Sequence, residues 1–132
     1  MKFASLALAV PLLLSGCVSL KATKATSIAG NPICIIDNPE VNTDFRAAYE
    51  NQLHSKGYAT KIIADGTTCV ITSTYKAAYG FHWGMYLASA EIKIFNQGIE
   101  IGNAVYSAPF ASPAKHGRVE GKIEAMVAKM LP

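Results

Sequence analysis

The chain has 132 residues, half of them hydrophobic and 16% charged, with a net charge of +3. That length fits one domain with a modest core. Twelve basic against nine acidic residues give no basic stripe, which argues against nucleic acid as a partner.

The first segment reads as a processing signal. Lys2 is its lone charge, followed by the uncharged run Phe-Ala-Ser-Leu-Ala-Leu-Ala-Val-Pro-Leu-Leu-Leu from Phe3 to Leu14. A basic start and an apolar stretch of this length make a secretory signal peptide. The run is shorter than the ~20 apolar residues a membrane span needs, and Pro11 weakens it further as a permanent helix. It ends in Leu14-Ser15-Gly16-Cys17. This resembles the lipobox of bacterial lipoproteins, in which small residues precede the cleaved bond and the cysteine thiol takes a diacylglyceryl group. The resemblance implies removal of residues 1–16 and a lipid anchor on Cys17. Two or three acyl chains, each buried CH₂ contributing ~0.8 kcal/mol, hold a protein on a membrane durably. Val18 rather than Asp follows the cysteine. By resemblance to enteric lipoprotein sorting, this implies the inner leaflet of the outer membrane, facing the periplasm.

Residues 17–31 continue with small and polar side chains and no aromatic, and are expected to form a lipidated, flexible tether. Fourteen extended residues would reach at most ~45 to 50 Å. Residues 32–132 are expected to form the globular domain. Ile33-Cys34-Ile35-Ile36 is a β-branched run stopped by Asp37-Asn38-Pro39, hence a buried strand. Asn42 or Thr43 can cap a helix with Asp44 in its first turn. Phe45, Ala48, Tyr49, Gln52 and Leu53 recur at helical spacing, and Gly57 supplies the stop. Tyr58 to Ala64 is a second strand closed by Asp65-Gly66.

A meander of three strands is expected next: Cys69 to Tyr79, Met85 to Phe95 and Ile99 to Ser107. The middle one alternates, with Tyr86, Ala88, Ala90, Ile92 and Ile94 opposed to Glu91 and Lys93, as in a sheet with one wet side. Asn96-Gln97-Gly98 is its hairpin turn, and Ile99, Ile101 and Val105 are expected on a common inner face. A last helix from about Ala114 to Leu131 carries the stripe Val119, Ile123, Met126, Val127 and Met130. Gly117 and Gly121 inside it would each cost about 1 kcal/mol relative to Ala, with close approach to the sheet as the expected reason.

The order strand, helix, four strands, helix predicts an α+β two-layer sandwich. It has a mainly antiparallel sheet of about five strands and both helices on one face. With Lys56-Gly57-Tyr58 at the helix-to-strand step, it resembles small envelope lipoproteins and the N-terminal domain of TolB. Fold alone does not set function.

Cys34 and Cys69 are the two cysteines left beside Cys17. An exported domain lives where disulfides persist, so a Cys34–Cys69 bridge is expected, with two buried free thiols as the alternative. No metal site is expected, because His54, His82 and His116 form no His-x-His or His-x-x-x-His pair. His54 suits the end of the first helix, and His116 is expected to be exposed. Asp37, Glu40 and Asp44 gather at one turn, where a strand end and a helix cap attract acids without any ligand. No cofactor motif or catalytic signature occurs, so no enzymatic activity is expected.

The segment with recognition chemistry is Tyr-Gly-Phe-His-Trp-Gly-Met-Tyr. Its Tyr79, Phe81, His82, Trp83 and Tyr86 are the candidate partner-contacting residues, since aromatic side chains bury much area and keep a polar handle. Gly80 and Gly84 suggest a turn or bulge there. The alternative is that Trp83 folds back and plugs one end of the core. The expected function is a lipid-anchored, non-catalytic binding or assembly module that contacts another envelope protein or peptidoglycan. The rival expectation is an immunity or exclusion lipoprotein against a toxin, phage or plasmid system.

Overall fold

The structure is a computed structural model that describes residues 18–28, 30–65, 68–110, 112 and 115–132. The leader 1–16, Cys17, Gly66 and Ala114 lie outside the described residues. The elements run β1 (Ser19–Thr23), β2 (Ile33–Ile36), α1 (Thr43–Ser55), β3 (Thr60–Ile63), β4 (Ile71–Phe81), β5 (Met85–Asn96), β6 (Ile99–Ser107) and α2 (Val119–Met130). Six strands form one mixed sheet in the order β1-β6-β5-β4-β2-β3. Pairs β1–β6, β6–β5 and β5–β4 are antiparallel, while β2 runs parallel to both β4 and β3. The chain is therefore α+β as expected, with one more strand than expected.

That sixth strand corrects the expected tether. Ser19–Thr23 pairs along β6, with Leu20 opposite Tyr106 and Ala22 opposite Ala104. Leu20 and Ala22 turn toward the core while Ser19, Lys21 and Thr23 face water, a period of two that an edge strand can use. Beyond it, the Ala25 amide donates to the Met130 carbonyl at 2.8 Å. Ala25 also lies against Gly102, where an added Cβ would come 2.7 Å from the Ala25 Cα. Gly102→Ala must therefore push backbone aside, and overpacking of this kind costs about 1–3 kcal/mol. We expect a correspondingly lower denaturant midpoint, with faster amide exchange across β1 than in the parent chain.

The helices lie together on one face of the sheet, α1 toward β3 and α2 across β5, β6 and β1. Asn42 caps α1 by accepting from the Asp44 amide at 2.8 Å, and Phe45, Ala48, Tyr49 and Leu53 form its buried stripe. They meet Ile33, Ile35, Ile71, Tyr75, Ile92 and Ile94 from the sheet and Ile123, Met126, Val127 and Met130 from α2. Each large side chain of this kind contributes ~1.5–3 kcal/mol when fully buried.

Two details differ from the pattern read in the sequence. On β6 the inward residues are Gly102, Ala104 and Tyr106, whereas Ile99 and Val105 are exposed and Ile101 is half-buried. A register irregularity between Ile94 and Phe95 sets this face, pairing Ile94 with Gly102 and Phe95 with Glu100. The last helix begins at Val119, so Gly117 precedes it, in the left-handed region, and Gly121 has open space beside it. Close packing therefore explains neither glycine.

The sheet's other face carries the Cys34–Cys69 disulfide, with Cα atoms 6.3 Å apart. It ties β2 to the segment that leads into β4. Near mid-sheet the same face carries Lys93, 3.8 Å from both Glu91 and Glu100. No helix among the described residues is long and apolar enough to cross a membrane.

Candidate interaction site at the aromatic hairpin

Strands β4 and β5 extend beyond the rest of the sheet and turn at His82-Trp83-Gly84. The His82 amide donates to the Gly84 carbonyl at 2.9 Å, and Trp83 holds a φ of 59°. Below the turn, a register shift between Ala78 and Tyr79 lets the two strands change which side chains face in. The five aromatic candidates consequently divide. Tyr86 is buried, with its ring against Gly80, where any Cβ would meet ring atoms at 2.6 Å. Tyr79 is half-buried against the core, and its hydroxyl pKa is raised, first by burial and then by the charge of Asp44. Phe81 and Trp83 point outward, 72% and 92% exposed. Trp83 thus does not plug the core.

Two residues missed in the sequence complete the site. Phe110 stacks near His82 with ring centroids 4.6 Å apart and is itself 61% exposed. Lys115 is only 3% exposed and inserts its ammonium between the rings. Its Nζ lies 4.1 Å from the Phe110 centroid and 5.1 Å from that of Tyr86, cation–π distances. The same Nζ donates to the Phe110 carbonyl and to His82 Nδ1, the latter at 2.5 Å. Lys122 continues the chain by donating to the Lys115 carbonyl, and its own pKa is lowered by burial. Ring faces and a carbonyl take the place of water around the Lys115 amino group, which offsets the cost of burying it. Lys115 fastens the hairpin tip to the segment that enters α2.

His82 accepts at Nδ1, so in this arrangement it is neutral with its proton on Nε2. Partial desolvation, then the charges of Lys115 and His116, lower its pKa below the ordinary 6.5. The neutral form therefore persists through neutral pH, and acid below 6.5 favours a tip released from Lys115. In a pH titration by NMR, we expect the His82 midpoint below 6.5, with Lys115→Met moving it up. A midpoint at or above 6.5 in the parent chain would contradict the Lys115 contact. His116 is exposed as expected, with its ring 5.6 Å from Tyr86 and 6.2 Å from His82. The site thus gathers bases and aromatic rings.

The acid cluster has structural roles. Asp37 pairs with Arg46 at 2.9 Å and accepts from the Tyr75 hydroxyl at 3.2 Å. Tyr75 in turn accepts from the Asn38 amide, and Glu40 bonds through its amide to Asn38. Asp44 sits in the first turn of α1. His54 meets the Thr60 hydroxyl at 2.7 Å, tying the end of α1 to β3. No group of three or more metal-ligating side chains occurs among the described residues. The outward sheet face below the hairpin holds an open groove whose lining includes Lys76, Ala78, Ser89, Glu91, Val105 and Ser107. Small side chains form its floor, with opposite charges at Lys76 and Glu91.

No family model and no curated protein matches this chain. Among solved structures, the fold is similar to that of a dodecameric PelC variant from Paraburkholderia phytofirmans. The TM-score is 0.60 at 10% identity, covering 86% of this chain and 93% of that one. A PDZ domain protein from Parabacteroides distasonis aligns at a TM-score of 0.48 and 15% identity, covering 86% of this chain and 35% of that one. At 10% identity the likeness to the PelC structure is one of fold alone.

Proposed function

We propose that this chain is a lipid-anchored periplasmic module of the cell envelope that binds or assembles with another envelope protein or peptidoglycan, without catalysis. The observation that carries this reading is the open ground at one end of the sheet, where a fixed hairpin tip holds large apolar side chains in water above the groove of the outward sheet face. Contiguous exposed apolar groups of this kind mark contact surfaces. The Leu14-Ser15-Gly16-Cys17 box supports lipidation at Cys17, with the outer membrane favoured by Val18. The Cys34–Cys69 bridge fits an oxidising compartment. The PelC structure of similar fold is a dodecamer, which fits an assembly role for this architecture.

The test is photo-crosslinking in intact cells, with the probe at Trp83 on the tip or at Ser89 in the sheet groove. Crosslinks to an envelope component from either position support the reading; background levels from both overturn it. Intact mass of the membrane-extracted chain checks the anchor separately. The expected product starts at Cys17 and carries acyl chains.

A further inference from the structure

We propose that the hairpin tip is a membrane-contacting wedge, with Phe81, Trp83, Met85 and Phe110 entering the surface of the bilayer that holds Cys17. This rests on the anchoring reading above and names what the tip touches, leaving the outward sheet face for the envelope partner.

Strand directions carry the argument. β4 rises to the tip, β5 descends from it, β6 rises again, and β1 descends alongside β6. The start of β1 is therefore at the tip end of the sheet. Ser19 stands beside Ser107, which stands beside Ser89, in one row across three strands. One peptide unit of ~3.8 Å joins Cys17 to Val18, the residue before β1, so a lipid on Cys17 is tied to this same end. From the Ser89 row to Met85 the hairpin climbs three more rungs of the β4–β5 ladder, since the register shift skips Ala88, or ~10 Å at the usual strand rise. An anchor held at headgroup level thus places the tip at or below the bilayer surface.

The chemistry of the tip suits that depth. Phe81, Trp83, Met85 and Phe110 are 72%, 92%, 68% and 61% exposed and project from one end of the sheet. Trp belongs at the membrane–water boundary, where its ring is partly apolar and its N–H stays wet. Behind these side chains the segment that enters α2 adds His116 and Arg118, both exposed, with Glu120 as the acid in the first turn of α2. An apolar front with basic side chains behind it is the composition of an interfacial membrane contact. The Lys115 anchorage matters here too, since a pre-formed wedge loses little conformational freedom on insertion.

Trp83 is the chain's sole tryptophan, so its fluorescence reports the tip alone. The processed lipoprotein is reconstituted into vesicles of phosphatidylethanolamine and phosphatidylglycerol, with and without brominated acyl chains. Expected are a blue-shifted emission, strong quenching by the bromolipids and weak quenching by aqueous acrylamide. The variant Phe81→Ser/Met85→Ser, altered only at exposed positions, should lose the bromolipid quenching and gain acrylamide quenching. A lipidated, vesicle-bound parent chain whose Trp83 acrylamide quenches as freely as an indole in water overturns the wedge and leaves the anchor standing. Trp83 shielded by envelope fragments but not by pure lipid also overturns it, assigning the tip to a protein or peptidoglycan partner. A mass without acyl chains refutes the anchor, and the wedge with it.

Discussion

Reducing Cys34–Cys69, or substituting Cys69→Ala, should lower the unfolding free energy by about 4 kcal/mol. The bridge spans 35 residues of sequence, and the loop-closure entropy it removes from the unfolded chain corresponds to that figure. Against a typical domain stability of ~5–15 kcal/mol, this is a large share. The enclosed loop holds α1 and β3, and β3 is an edge strand with a single neighbour in the sheet. The same enclosure predicts a second signature. Without the bridge the unfolded chain expands, so the denaturant slope m should rise while the midpoint falls. Guanidinium unfolding of the oxidised, reduced and Cys69→Ala forms, followed by circular dichroism, measures both. Coincident curves for oxidised and reduced protein would mean that the thiols are unbridged in solution.

Local signals carried the sequence reading where the chemistry is local. The Asn42 cap, the Phe45/Tyr49/Leu53 stripe and the strand from Ile99 to Ser107 each lie where spacing put them. What escaped was set by distant partners. Ser19–Thr23 has two inward side chains, Leu20 and Ala22, alternating with three polar ones, too weak a pattern to announce a strand; the open edge of β6 makes it one. The face of β6 is the reverse of what its sequence suggests, because two of its large apolar residues, Ile99 and Val105, are exposed. Its inward positions are Gly102, Ala104 and Tyr106, and Gly102 has no room for a side chain because Ala25 lies close against it. At the candidate site, the glycine-flanked aromatics exposed the hairpin, but the side chain that fastens it did not stand out. Lys115 lies 33 residues from His82 in a proline-rich stretch where a lysine ordinarily points to water. Burial of that lysine is a property of the assembled fold and has no local signature.

Above pH 10 the domain should lose stability by at least ~1.4 kcal/mol per pH unit, and Tyr49→Phe should remove much of that slope. Tyr49 is fully buried between α1 and β4, and its hydroxyl pairs with the Ser73 hydroxyl at 2.7 Å. Ser73 donates its proton to the Lys93 carbonyl at 2.9 Å, so Tyr49 is the donor in the pair. Burial pushes the phenol pKa far above its ordinary value of 10, against a smaller opposing pull from Ser73. The sign follows from proton counts. Below pH 10 both folded and unfolded forms keep the proton, and stability is flat on this account. Above it the unfolded chain releases a proton that the folded chain retains, so each further unit favours unfolding. Tyr75, Tyr79 and Tyr106 are shifted in the same direction, chiefly by burial, and steepen the loss. The lowered pKa of Lys122 acts oppositely, but its gain is complete by about pH 10.5, where the unfolded lysine titrates. At neutral pH, the two partners of the buried pair should be unequal. Tyr49→Phe leaves Ser73 bonded to Lys93 and should cost about 1 kcal/mol. Ser73→Ala strands the phenol hydroxyl in the core and should cost more, ~1–3 kcal/mol. Denaturant midpoints for both variants between pH 7 and 11.5 measure the slope and the asymmetry together; an unchanged alkaline slope in Tyr49→Phe would place the proton release elsewhere.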